Sequence, residues 1–342
     1  FISRSPRWIG FFVHCRRTSR MAYKLCHEIK QLAPKQKIVL GGPESLYLGP
    51  KLKENNLCDA WIIGEAEEAI IKLLNGETNF PGINGGRAPY FKDFAQLPFP
   101  DYSDFDFSRY PSNAYDLSNS SLGLNSLYIE GSRGCIKKCS FCNSKEIWGN
   151  FRFKTGKRIF EEVIHLHEKY KITHFHFTDN LVNGHLKEIK EFAILLANSY
   201  YKNIPQFTWE AHAIIQPKNR VADDFFEALK KSGCRQLKIG LESGSEKVRT
   251  EMNKLFSNED LFHTLNMCLK HKIHLRIMLM VGFPTETESD FQKTLELITQ
   301  LQKYREIIDV ISAGTTLQIS PTSELYHLSE ELGIKIHKPN PY

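Results

Sequence analysis

The chain has 342 residues, with 45 Lys and Arg against 39 Asp and Glu for a formal charge of +6, and 41% of its residues are hydrophobic. That length predicts two domains, and that composition excludes a disordered tail, a collagen-like chain and the dense basic arm of a nucleic-acid-binding protein. Eight cysteines are too few for a secreted disulfide scaffold. No apolar run approaches the ~20 residues of a membrane span, so the expected setting is reducing and cytoplasmic.

The chain starts at Phe1 and runs at once into a buried-strand pattern, Trp8 to Val13, as if an upstream segment were missing. Ala22, Leu25, Cys26, Ile29 and Leu32 recur at helical spacing, and Pro34 ends that helix. Lys37–Leu40 reads as a strand running into Gly41-Gly42-Pro43. Ala60–Ile63 is a further strand, and a helix follows around Ala66–Leu74. Strand, helix, strand, strand and helix with apolar strands predict a parallel sheet. The expected domains are residues 1–80, a linker over 81–125 rich in Gly, Pro, Asp, Ser and Asn and partly packed through its aromatics, and residues 126–342.

From Leu127 the alternation persists. Strands are predicted at Leu127–Glu130, Thr173–Thr178, Gln206–Ala213, Gln236–Gly240, Ile273–Val281 and Val310–Ile319. Helices are predicted at Arg158–Tyr170, Leu186–Ser199, Ala222–Ser232, Asn258–His271, Ser289–Gln302 and Thr322–Leu332. The expected fold class is α/β: a partial Rossmann-like domain followed by a partial (β/α)6 TIM-type barrel. Chemistry in such barrels sits in the loops after the strands.

The loop after the first barrel strand carries Cys135, Cys139 and Cys142, spaced Cys-x3-Cys-x2-Cys. Three thiolates this close can converge on one metal centre. A structural zinc site wants four ligands, usually as two pairs. Cys15, Cys26, Cys58, Cys234 and Cys268 are isolated in apolar patterns and read as core. Three ligands and a vacancy suit a cubane iron–sulfur cluster with one open iron.

This run, with Phe141 before the last cysteine, resembles the signature of the radical S-adenosylmethionine (SAM) superfamily. The resemblance implies that Cys135, Cys139 and Cys142 hold a [4Fe–4S] cluster and that Phe141 is among the SAM-binding residues. It implies that SAM binds the open iron and is cleaved reductively to a 5′-deoxyadenosyl radical. Glu242 ends Leu237–Glu246, a run similar to the family's Gly-x-Glu-Ser-Gly segment, and the resemblance gives it and Ser243 to SAM. Asp179, in Thr178-Asp179-Asn180, stands where the family meets the SAM amino group, although a helix N-cap is an equal reading. Gly282, in a turn resembling Gly-Phe-Pro-x-Glu-Thr, would let SAM approach, with Val281 or Phe283 on the adenine. Thr287 with Asp290 also reads as a capping box there.

Thr208, Glu210 and His212 share one strand face and are expected to line the barrel, as a structural pair or as substrate contacts. His174 and His176 are similarly placed and are given no role. Arg133, Lys137 and Lys138 flank the cysteines and could steer an acidic flavodoxin- or ferredoxin-type electron donor, a solvated loop being the alternative. Gly41, Gly42 and the turn at Gly64 resemble the back half of the cobalamin-binding domain that precedes some radical SAM barrels. The family's Asp-x-His-x-x-Gly loop is not in this stretch, so cobalamin is implied for the intact protein rather than for these residues alone. The expected activity is cobalamin-linked methyl transfer or radical rearrangement of a small molecule. The alternatives are a tRNA methylthiotransferase and a non-enzymatic metal-binding partner protein. Membrane and nucleic acid are not expected partners.

Overall fold

The computed structural model describes residues 6–107, 126–199, 207–313, 317 and 319–336. These divide into two units, one ending at Lys92 and one running Asp93–Ile336.

The first unit runs β1 (Trp8–Phe12), α1 (Arg16–Leu32), β2 (Lys37–Gly41), α2 (Ser45–Glu54), β3 (Ala60–Trp61) and α3 (Ala66–Leu74). Its three strands form a parallel sheet in the order β1-β2-β3. Val13, Cys26, Ile38, Leu40, Leu48, Leu52 and Trp61 make its main apolar core. Helix α2 was hidden in the sequence by Gly49-Pro50, two helix breakers side by side. Close packing explains the glycine: a Cβ on Gly49 would lie 2.3 Å from Cγ of Trp61. Cys15 is a second correction, because it is exposed at the start of α1 rather than in the core.

The second unit runs β4 (Ser126–Ile129), β5 (Ser132–Arg133), α4 (Ser144–Trp148), β6 (Arg152–Phe153), α5 (Gly156–Tyr170), β7 (His174–Phe177), α6 (Leu186–Ser199) and β8 (Thr208–Ala213). It continues with α7 (Asp223–Lys231), β9 (Cys234–Glu242), α8 (Glu246–Glu251), α9 (Asn258–His271), β10 (His274–Leu279), α10 (Glu288–Leu301), β11 (Ile308–Ala313) and α11 (Glu324–His327). The main sheet has six strands in the order β4-β7-β8-β9-β10-β11, all parallel. Chain order equals spatial order, so every strand ends at the same edge, as in a partial (β/α)6 barrel.

Strand alternation sorts the side chains. Leu127, Ile129, Phe175, Phe177, Trp209, Ala211, Leu237, Ile239, Leu275 and Ile277 enter the core shared with residues of α5, α6, α7 and α9. Their neighbours Tyr128, His176, Glu210, His212, Lys238 and Arg276 take the opposite face. The segment before β4 packs through its aromatics. Tyr102 lies edge-on to Tyr170, and the Arg158 guanidinium sits 3.8 Å from the Phe99 ring centroid. The rest of the expected linker, residues 108–125, lies outside the described residues, as do 314–316 and 318 of the expected last strand. The expected helix Thr322–Leu332 is only the single turn of α11 followed by further turns.

Candidate active site

The loops at the strand ends bring together Cys135, Cys139 and Cys142 after β5, and Glu242 at the end of β9. The cysteine loop is bolted in place through its backbone. Ser140 N–H donates to the Met252 carbonyl at 2.9 Å, and Leu325 N–H donates to the Ser140 carbonyl at 2.8 Å. The Asn253 amide donates to the Lys138 carbonyl at 2.8 Å, and Lys137 Nζ to the Leu255 carbonyl at 3.1 Å. Asn180 Nδ2, beyond β7, donates to Ser144 Oγ at 2.7 Å at the start of α4.

Two sulfurs receive backbone donors. Lys137 N–H points at Cys135 Sγ, 3.3 Å away, and Ser144 N–H at Cys142 Sγ, 3.4 Å away. Burial raises the Cys135 thiol pKa and pushes that of Cys139 up to about 11. As free thiols these groups are inert at neutral pH, and a metal that replaces the proton changes that. Among the described residues, the group whose ligand atoms all lie within 4.8 Å of one another is His174, His176 and Glu210. The three cysteines are spread more widely than that, which suits a polynuclear cluster rather than one ion. An all-thiol donor set with backbone N–H groups on sulfur is the environment of an iron–sulfur cluster, so these residues fit the group.

Glu242 adopts a left-handed conformation, φ 67°, which a non-glycine residue holds at a cost of order 1–3 kcal/mol. What holds it is Lys254, whose Nζ lies 2.7 Å from Glu242 Oε1 with both side chains only 12% exposed. Burial works against the Lys254 ammonium, but Glu242 and the nearby Cys139 outweigh it and its pKa is raised. Lys254 Nζ also lies 5.9 Å from the Phe141 ring centroid, which places it beside the cysteine loop. Gly240 clears room for the pair, since a Cβ there would meet Glu242 Oε1 at 2.3 Å and Lys254 Nζ at 2.8 Å. Sequence reading gave Lys254 no role. Its position in the run after Glu242 was the available signal.

Several expected contacts fall elsewhere. Ser243 is fully buried, and its hydroxyl pairs with Ser245 N–H and Thr294 Oγ1 of α10. Phe283 is buried in a side cluster with Val248, Met252 and Leu325, whereas Val281 stays 42% exposed and Gly282, at φ 84°, has open space. Thr287 and Asp290 do form the capping box of α10. Arg133 points inward, fastened to Glu130 at 2.9 and 3.0 Å, and of the three expected basic residues Lys138 is the exposed one. In the first unit, Gly42 sits at φ 95° and lacks the Cβ that would lie 2.7 Å from the Val13 carbonyl oxygen, while Gly41 has free space.

Asp179 is 3% exposed and both of its oxygens are used: Gly131 N–H donates to Oδ2 at 2.9 Å and the Ser132 hydroxyl to Oδ1. It clasps the segment leading to the cysteines and is no N-cap. Burial raises its pKa to about 7 against the lowering effect of those two donors. The folded state therefore keeps a proton that the unfolded chain releases near pH ~4. The associated stability is present below that pH and is lost as pH rises through about 7. Asp179→Asn can accept from Gly131 and donate to Ser132, whose hydroxyl then donates to the Leu181 carbonyl at 3.1 Å. The variant should melt above wild type at pH 8, with the gap closing by pH 5. A variant destabilised more at pH 8 than at pH 5 would show that the ionised carboxylate is required.

The sequence of the Radical SAM superfamily model matches residues 129–298. The chain belongs to the radical SAM superfamily. It is 22% identical over 298 residues to an uncharacterized methyltransferase of Pyrococcus horikoshii, covering 82% of this chain and 61% of that protein. It is 29% identical over 186 residues to the ribosomal protein uS12 methylthiotransferase RimO of a Hydrogenobaculum species, covering 51% of this chain and 44% of that one. The radical SAM methyltransferase TsrM from Kitasatospora setae superposes with a TM-score of 0.78 at 16% identity, covering 96% of this chain and 66% of TsrM. TsrM has been seen with tryptophan and a SAM analogue, and with cobalamin and a [4Fe–4S] cluster. The likeness shows a shared fold over both units. This chain spans at most about three fifths of the curated relatives' length, 61% in the P. horikoshii case. Radical SAM membership brings a [4Fe–4S] cluster and SAM as cofactors. No helix among the described residues is long and apolar enough to cross a membrane.

Proposed function

We propose that this chain is the cofactor-binding part of a cobalamin-linked radical SAM methyltransferase acting on a small molecule. The observation that carries the reading is the cysteine triad held by backbone bonds beside the buried Glu242–Lys254 pair, in a fold shared with TsrM over both units. Cys135, Cys139 and Cys142 would hold the [4Fe–4S] cluster. When bound, that cluster supplies the electron that cleaves SAM, and cobalamin supplies a methyl carrier.

This chain's own residues do the positioning. Lys254 fixes one oxygen of Glu242, which leaves Oε2 to accept from a SAM ribose hydroxyl. Gly282 and exposed Val281 leave room for the adenine. Gly41 leaves space at the end of β2 for a cobalamin tail. Lys138 is the surface charge offered to an acidic electron donor of flavodoxin or ferredoxin type.

The methylthiotransferase reading rests on the similarity to RimO. Such enzymes need a second cysteine triad, and the first unit's cysteines do not form one. Cys26 and Cys58 are buried in its apolar core with their thiols pushed up to about 12 and 11, and Cys15 lies exposed. The test is anaerobic reconstitution with iron and sulfide, followed by SAM cleavage under a strong reductant with and without hydroxocobalamin. About four iron and four sulfide per chain with reductive SAM cleavage supports the reading. One zinc per chain with no SAM binding overturns it.

A further inference from the structure

The open face of the six-stranded sheet has an uneven charge. Register places His212 of β8 beside Lys238 of β9, and Lys238 beside Arg276 of β10, so three basic-type side chains stand in one row across adjacent strands. Like charges side by side in a sheet are destabilising, and the row is only partly neutralised. Glu210 accepts from Lys238 and, at 2.7 Å, from His176. Those two donors hold the Glu210 carboxyl well below its usual range although burial works against them. Asp309 of β11 accepts from Gln236 and His274 at 2.7 Å each, and Glu242 is taken by Lys254. That leaves Arg276, half-buried, with neither a hydrogen bond nor an ion pair among the described residues. His212, at the other end of the row beyond Lys238, has no hydrogen-bond partner there either. Burial, then Lys238 and Arg276, lower the His212 pKa against the pull of Glu210, so it stands in the same row as a neutral donor.

The row lies at a useful depth. Lys238 is four residues before Glu242 on β9, about 13 Å at the usual rise of a strand. Between them lies Gly240, over which the Glu242–Lys254 pair sits, with Met278 beside it. A molecule entering from the cysteine end would reach the row with its far end, and its middle would stay under the SAM-binding residues.

We propose that Arg276, with His212 in the same row across Lys238, is a specificity-determining anchor for an oxyanion on the substrate, a carboxylate or a phosphonate. This deepens the reading above and rests on it. A guanidinium presents a planar fork that matches such groups with two parallel bonds. The His174, His176 and Glu210 group on the same face is no rival cation site, since Lys238 already donates into Glu210.

The test uses the full chain, reconstituted anaerobically, with acetate and methylphosphonate as separate probes titrated by calorimetry. Arg276→Gln leaves no buried acceptor without its donor, so the variant should fold and keep its iron and sulfide content. Arg305→Gln makes the same charge change at an exposed position. One probe should bind to wild type and to Arg305→Gln, and at least about tenfold more weakly to Arg276→Gln. Which probe binds tells a carboxylate from a phosphonate. Equal binding by all three proteins, no binding of either probe to wild type, or displacement of the probe by saturating SAM overturns the anchor. SAM cleavage by wild type reports on the radical SAM reading separately, so failure of one does not imitate failure of the other.

Discussion

Cys135→Ala, Cys139→Ala and Cys142→Ala should each come out of anaerobic reconstitution without the brown absorbance of wild type and with reductive SAM cleavage below detection. The expectation follows from the donor count. The triad is the cysteine set at the strand ends, and Cys26, Cys58, Cys234 and Cys268 are sealed in cores and cannot substitute. A structural role would read differently. The loop is held by Ser140, Lys138 and Lys137 through bonds that no cysteine side chain makes, so each variant should melt within a few degrees of the wild-type apoprotein. Full iron and sulfide content in all three variants would remove the triad from the proposed site.

The barrel was legible because its strands and helices obey simple periods. Asn258–His271 begins with Ser257 and Asp260 in a reciprocal capping box, and the predicted and observed helices coincide. Helix α2 was not legible, because its glycine serves contact with Trp61, a residue twelve positions away that local propensity cannot see. The cysteine spacing was legible because three ligands on one loop are local. The surroundings of Ser243 were not legible for the opposite reason: its hydroxyl meets Thr294 of α10, which lies far along the chain. Arg276 and His212 passed unremarked as members of one row. Alternation puts each on a face, but only strand register lines them up on either side of Lys238.

Lys254→Met should be the most damaging single change outside the cysteines, and its pairing with Glu242→Gln tells stability from function. Both partners are 12% exposed, so removing the ammonium leaves a buried carboxylate without its counter-charge. Breaking a buried pair from one side costs about 3–5 kcal/mol, whereas replacing both partners is often close to neutral. Lys254→Met should therefore lower the melting temperature sharply. Glu242→Gln should lower it less, because the amide oxygen still accepts from Lys254 Nζ. The double variant should recover most of the loss, a coupling that a double-mutant cycle reads directly. SAM binding should follow another pattern. The ribose contact proposed for Glu242 needs a charged acceptor held in its left-handed backbone position, so binding should weaken by about tenfold or more in both single variants. Binding should stay weak in the double variant even though the fold returns. If SAM affinity were restored together with stability, the pair would be a structural clamp and Glu242 would lose its place in the site.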